Sequence, residues 1–222
     1  MYTKLERFFT FIRNEKILKI VAFALYCMFI ITMLVDSPVV QFNCVVLLLI
    51  ICTFWYMIYL PDLINKSFEL NKEKIKEKLK EKIIKIIKEI VIFIPFYLIS
   101  NYIISLFIVG ESVNQTSVVQ SLKESTILQS IIVVIIGPII EEFIFRFLPY
   151  KFIKNTTVYI IVSTVIFAAM HVIDDPNPFY YIWAYIMRSL YYGYTYHKTK
   201  DICVPIALHS FKNLIAVSLI LL

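Results

Sequence analysis

The stretch Glu141-Glu142-Phe143-Ile144-Phe145-Arg146 sets two adjacent carboxylates and a guanidinium among apolar residues. At bilayer depth each such charge costs about 3 kcal/mol on insertion scales. Three together must therefore pair, face a polar cavity or do chemistry. On a helix, residues four apart share a face, so Glu142 and Arg146 can pair. Glu141 points about a quarter turn away and has no local partner. One carboxylate is thereby neutralised and the other is left to handle protons, as a general base does. The alternative is an ion-pair network that joins helices.

Two further apolar segments carry imidazoles. His171 ends the run Phe167-Ala168-Ala169-Met170-His171, with Phe167 on its face at four-residue spacing. His209 and Asn213 are also four apart and project together. An imidazole beside an amide can donate hydrogen bonds to an oxygen that gains charge in a reaction; interhelical hydrogen bonding is the plainer use. His197 stands beside Lys198 at an expected cytoplasmic edge, where solvation explains it. Gly137-Pro138 should loosen or kink the helix as it approaches the glutamates.

The elements that position these groups follow from composition. The 222 residues are 60% hydrophobic with only 3 glycines, and mean hydropathy is +0.79. That excludes an ordinary soluble domain. Seven segments are expected to cross a membrane, at 17–35, 38–60, 89–110, 127–153, 157–172, 179–197 and 203–222. No alternating barrel pattern is visible, so the expected fold class is all-α, a polytopic transmembrane helical bundle.

Basic residues orient it. Lys4, Arg7, Arg13, Lys16 and Lys19, the lysines of 66–88, Lys151 with Lys154, and Lys198 with Lys200 fall on every second connection. Asp36, then Glu111, Lys123 and Glu124, then Asp174 and Asp175 fall on the others. The positive-inside rule places the first set, and the amino terminus, in the cytoplasm of a multi-pass cell-membrane protein. This asymmetry accounts for the net charge of +6 without a nucleic-acid patch. The first apolar segment reads as an uncleaved signal anchor. Cys27, Cys44, Cys52 and Cys203 lack metal-type spacing and are expected to be packing residues.

Three regions are expected. Residues 1–62 form an accessory transmembrane hairpin. Residues 63–90 form an amphipathic lysine-rich cytoplasmic helix with an apolar row at Ile75, Leu79, Ile83 and Ile87, lying on the anionic inner leaflet. Residues 91–222 form a membrane-embedded core.

Glu-Glu-x-x-x-Arg at 141–146, Phe-x-x-x-His at 167–171 and His-x-x-x-Asn at 209–213 occur in this order on separate apolar segments. This arrangement resembles the CPBP family of CAAX proteases and bacteriocin-processing enzymes, also called type II CAAX prenyl endopeptidases or the Abi family. The run from Tyr192-Gly193-Tyr194-Thr195 through Val204-Pro205-Ile206-Ala207-Leu208-His209 is similar to what precedes the family's third motif. The resemblance covers residues 125–222. It implies hydrolysis of a peptide or lipidated peptide within the membrane. Glu141 and His171 would polarise water, His209 and Asn213 would stabilise the oxyanion, and Glu142, Arg146 and Phe167 would support the site. The family has been regarded as metal-dependent and also as needing no metal. Zinc held by Glu141, His171 and His209, or no cofactor, are both compatible with the residues. Phe147 stands where the family commonly has glycine, which is expected to tighten packing or narrow access.

Two alternatives accompany this reading: a self-immunity or regulatory membrane protein on the same fold without turnover, and a proton-coupled transporter whose acid and histidines relay ions. Counting about 1.5 Å per residue, Glu141 and His171 fall about 20 Å deep and His209 only about 10 Å, unless the last helix begins deeper. Arg188 and Lys212 fall near mid-membrane with no assigned role.

Overall fold

The structure, a computed structural model, describes residues 15–33 and 72–222. The expected span 38–60, with Cys44 and Cys52, lies outside the described residues, as do most of the expected hairpin 1–62 and the start of the segment 63–90. The chain divides into two compact units, Met1–Lys82 and Ile83–Leu222. Among the described residues every element is helical.

In the first unit, α1 spans Glu15–Met33. It buries Ala22, Leu25, Tyr26 and Phe29, a single stripe at helical spacing, and exposes Ile20, Val21 and Phe23.

Helix α2 spans Lys72–Ser105 and continues through Pro95. The charged segment and the expected span 89–110 are therefore one helix, ending earlier than its apolar composition suggests. Leu79, Ile83 and Ile87 are exposed along one row, as expected of a face that seeks an interface. Deeper along α2, Glu89 is buried and accepts from Lys198 Nζ at 2.8 Å.

The connection carrying Glu111, Lys123 and Glu124 was expected to be a loop; it contains a helix, α3, Val113–Glu124. Ser112 caps it, its Oγ accepting from Gln115 N at 3.2 Å. Asp175, in the connection after the helix Thr156–Val172, accepts the Val113 N–H at 3.2 Å. These contacts satisfy donors that a helix start leaves open.

Helix α4 covers 126–152 and carries the glutamates. Its α segments Thr126–Ile131, Gly137–Glu142 and Leu148–Phe152 are separated by π turns at Ile132–Ile136 and Phe143–Phe147. Each π turn ends two residues before a proline: Gly137 N–H bonds Ile132 O ahead of Pro138, and Leu148 N–H bonds Phe143 O ahead of Pro149. A proline ring clashes with the carbonyl four residues back, and widening the turn moves that carbonyl away. The loosening expected at Gly137-Pro138 takes this form.

Three helices complete the unit: α5, Thr156–Val172; α6, Pro178–Thr199; and α7, Cys203–Leu221. Asn155 Oδ1 caps α5 through Val158 N at 3.1 Å. Gly193 lets α6 approach α5 closely, since a Cβ there would meet Ser163 Oγ at 3.4 Å. Phe93, Tyr192, Val204 and Leu208 form the core where α2, α6 and α7 meet. Cys27 and Cys203 are free thiols.

Of the expected spans, those on α1 and α4–α7 coincide with helices to within a few residues. By length and composition, however, one described helix, Cys203–Leu221, is long and apolar enough to cross a membrane; Thr156–Val172 is apolar but shorter. The structure therefore gives an all-helical protein rather than seven clear spans.

Candidate active site

Glu141 and Glu142 leave the same helix in different directions and meet different partners. Glu142 and Arg146 are both fully buried, with Arg146 Nε 3.2 Å from Glu142 Oε2. Arg146 Nη2 donates to Ser189 Oγ at 3.0 Å, and the guanidinium lies over the Phe167 ring at 4.6 Å. The pairing expected from four-residue spacing is present.

The second oxygen of Glu142 does something the spacing does not reveal. Its Oε1 lies 2.9 Å from His209 Nδ1. An ionised carboxylate only accepts, so His209 Nδ1 carries a proton. His171 Nδ1 lies 2.8 Å from the carbonyl of Phe167, which likewise only accepts. Both rings are thus fixed in tautomer and direction, and both turn Nε2 toward Glu141.

Glu141 Oε2 lies 3.6 Å from His171 Nε2 and 3.8 Å from His209 Nε2, and among the described residues it has no direct hydrogen-bond partner. Three atoms able to accept protons converge from α4, α5 and α7. If all were unprotonated they would only repel, so the cluster holds a shared proton or bridges a molecule that donates to it. His209 therefore reaches the level of Glu141. Counting along the expected spans sets the two residues at different levels, whereas their side chains meet.

Aromatic rings hold the imidazoles. His171 packs between Phe167 at 4.2 Å and Tyr185 at 4.8 Å between ring centroids. His209 stacks on Tyr192 at 5.1 Å. Tyr185 is itself anchored, its hydroxyl 2.7 Å from Ser112 Oγ. Tyr185, Ser189 and Tyr192 were not identified from sequence; their shared stripe on α6, with Tyr196, is the signal that marks them.

Asn213 shares the cavity with His209 and makes two further contacts. Its Nδ2 donates to Val133 O at 2.8 Å and its Oδ1 accepts from Lys212 Nζ at 3.2 Å. It lines the cavity but is tied to the first π turn. Phe147, expected to narrow access, stacks on Phe143 at 4.9 Å and is not part of the cavity wall. His197 sits at an exposed hydrogen bond with Lys200 Nζ, 3.0 Å long.

These side chains enclose a cavity of about 180 Å³ lined by Glu141, Phe167, His171, Tyr185, His209 and Asn213 among others. Among the described residues, no group of three or more His, Cys, Asp or Glu side chains is arranged to hold a metal ion. The expected trio of Glu141, His171 and His209 is not such a group as placed.

The class defined by this fold and site is an all-helical protein with a protected acid–imidazole cluster in a small cavity. Residues 123–215 match the family model described as Rce1-like, type II CAAX prenyl endopeptidase, a match that supports the CPBP/CAAX protease family for this stretch. All three motifs lie within the matched residues, and the family supports protease activity at that coarse level. No curated protein and no solved structure matches the chain.

Proposed function

We propose that the chain is a membrane-embedded endopeptidase that hydrolyses a peptide bond with water activated by Glu141 and His171. The observation that carries this reading is the convergence of Glu141 Oε2 with His171 Nε2 and His209 Nε2 at 3.6 and 3.8 Å. Water bridging Glu141 and His171 gives one proton to the carboxylate as its oxygen attacks the scissile carbonyl. His209, protonated on both nitrogens, donates Nε2–H to the oxygen that becomes negative. Glu142, held by Arg146, stabilises that imidazolium from behind. Asn213 supplies its second amide N–H to the same oxygen. Glu141 then passes its proton to the nitrogen and the C–N bond breaks as the oxyanion re-forms a carbonyl; the acid's remaining proton passes through His171 Nε2 to the amine, so a carboxylate and an ammonium leave.

A membrane setting is supported by the inversion of polarity. Arg146 and Glu142 are fully buried, while Ile127, Ile135, Ile139, Val158, Ile161, Val165, Trp183, Leu214 and Leu219 face outward. So extended an apolar exterior exceeds what soluble monomers expose. The proposed arrangement is multi-pass, with the amino terminus cytoplasmic and α2 carrying its lysines along the inner leaflet.

The test is cleavage by the full chain reconstituted in vesicles, using an acylated peptide library read by mass spectrometry. Glu141→Gln and His171→Ala should each lower cleavage about 10²–10⁴-fold, the usual share of a general base, at unchanged protein level. Cleavage that persists in both variants, or ion flux lost without any peptide product, would overturn the reading.

A further inference from the structure

Two cations at the edge of the cavity take no part in this hydrolysis. Arg188 on α6 and Lys212 on α7 line the catalytic cavity, and both also line an adjoining cavity of about 320 Å³. Gln115, Tyr185 and Ala216 line both as well, so the two spaces share one wall.

Among the described residues, neither cation has an anionic partner at hydrogen-bonding distance. Arg188 Nη2 donates to the neutral amide oxygen of Asn101 at 3.4 Å, and its Nε is buried without a hydrogen-bond partner. Lys212 Nζ donates to the neutral amide oxygen of Asn213 at 3.2 Å. The carboxylates facing these cavities are Glu141, engaged with the imidazoles, and Glu111, which is exposed at the rim of the second. Both side chains are half-buried, and two like charges facing the same cavities repel unless an anion bridges them.

Their position bears on substrate choice. Arg188 lies between Tyr185, which packs on His171, and Tyr192, which stacks on His209. Lys212 follows His209 by three residues on α7. We propose that Arg188 and Lys212 form a carboxylate subsite, so that the preferred peptide presents a carboxylate close to the bond that is cut. The carboxylate is the peptide's own terminus or an Asp or Glu side chain. Arg188, with its fork of donors, binds it in two-point fashion while Lys212 adds a point charge. This rests on the endopeptidase reading.

The test uses the reconstituted full chain with one acylated peptide library in two forms, free acid and carboxamide. Free-acid peptides, or those with Asp or Glu at a fixed distance from the cut, should react about tenfold faster or more in kcat/KM, as a charge-assisted contact gives. Arg188→Gln and Lys212→Gln should bring that ratio to within about twofold of unity, and Arg188→Lys should partly restore it. A preference lost on amidation identifies the terminus; one that survives amidation and follows Asp or Glu identifies the side chain. Glu141-dependent cleavage with no carboxylate preference, or a preference unmoved in both Gln variants, overturns the subsite while leaving the peptidase intact. Binding is measured separately on Glu141→Gln protein with N-dodecanoyl-leucine and its carboxamide. Equal affinity for the two overturns the subsite even if no cleavage is found, whereas tighter acid binding lost in Arg188→Gln supports it.

Discussion

Asn213 Nδ2 donates to the carbonyl of Val133 at 2.8 Å, and Val133 is the residue whose carbonyl a π register sets opposite Pro138. Proline has no N–H to give it, so a side chain from α7 supplies the missing donor. Asn213→Ala should therefore cost about 1–3 kcal/mol of stability, the penalty of an unsatisfied carbonyl. Pro138→Ala restores a backbone donor, so the double variant should recover much of that loss. Thermal unfolding in detergent measures both, and strict additivity would refute the link.

Glu142 binds two positive or proton-bearing partners, Arg146 and His209, with no exposure to solvent. Glu142→Gln leaves Arg146 buried without its counter-charge, and a loss of about 3–5 kcal/mol is expected. Glu142→Gln with Arg146→Met should be milder, because the stranded charge is gone. Denaturant titration separates the cases; equal losses in the single and double variants would mean that the charge is not stranded.

Tyr185 supports His171 with its ring and holds Ser112 with its hydroxyl. Tyr185→Phe should cost about 1 kcal/mol and leave turnover near normal. Tyr185→Ala should lower kcat far more than KM, since the imidazole loses one wall. The reverse pattern would assign the ring to substrate binding instead.

Peptide cleavage should persist after exhaustive treatment with EDTA, because the acid and imidazoles are arranged to act on water directly. Loss of activity that zinc restores would place a metal between Glu141, His171 and His209.

The three chemically unusual segments were legible because charges and imidazoles among apolar residues have few physical explanations, and because spacing on one helix fixes local pairs such as Glu142 with Arg146. Relationships between helices were not legible. Nothing in the spacing tells that His209 bonds Glu142 or that Asn213 answers Pro138. Helix α3 was missed although Ser112 and Gln115 have the spacing of a capping pair, because a polar stretch between apolar ones reads as a loop. Counting along the spans sets His209 apart from Glu141 because it assumes that every helix starts at the same surface.

The two widened turns of α4 have a consequence for insertions and deletions. Each holds one residue more than an α turn requires. Removing one residue from Ile132–Ile136 would let that turn close as an α turn and keep Glu141 near its present face, at the cost of the room that Pro138 needs. Removing one from a regular stretch of the same helix would instead rotate everything downstream by about 100°. The wide turns are thus the places where this helix can change length while the cavity keeps its acid.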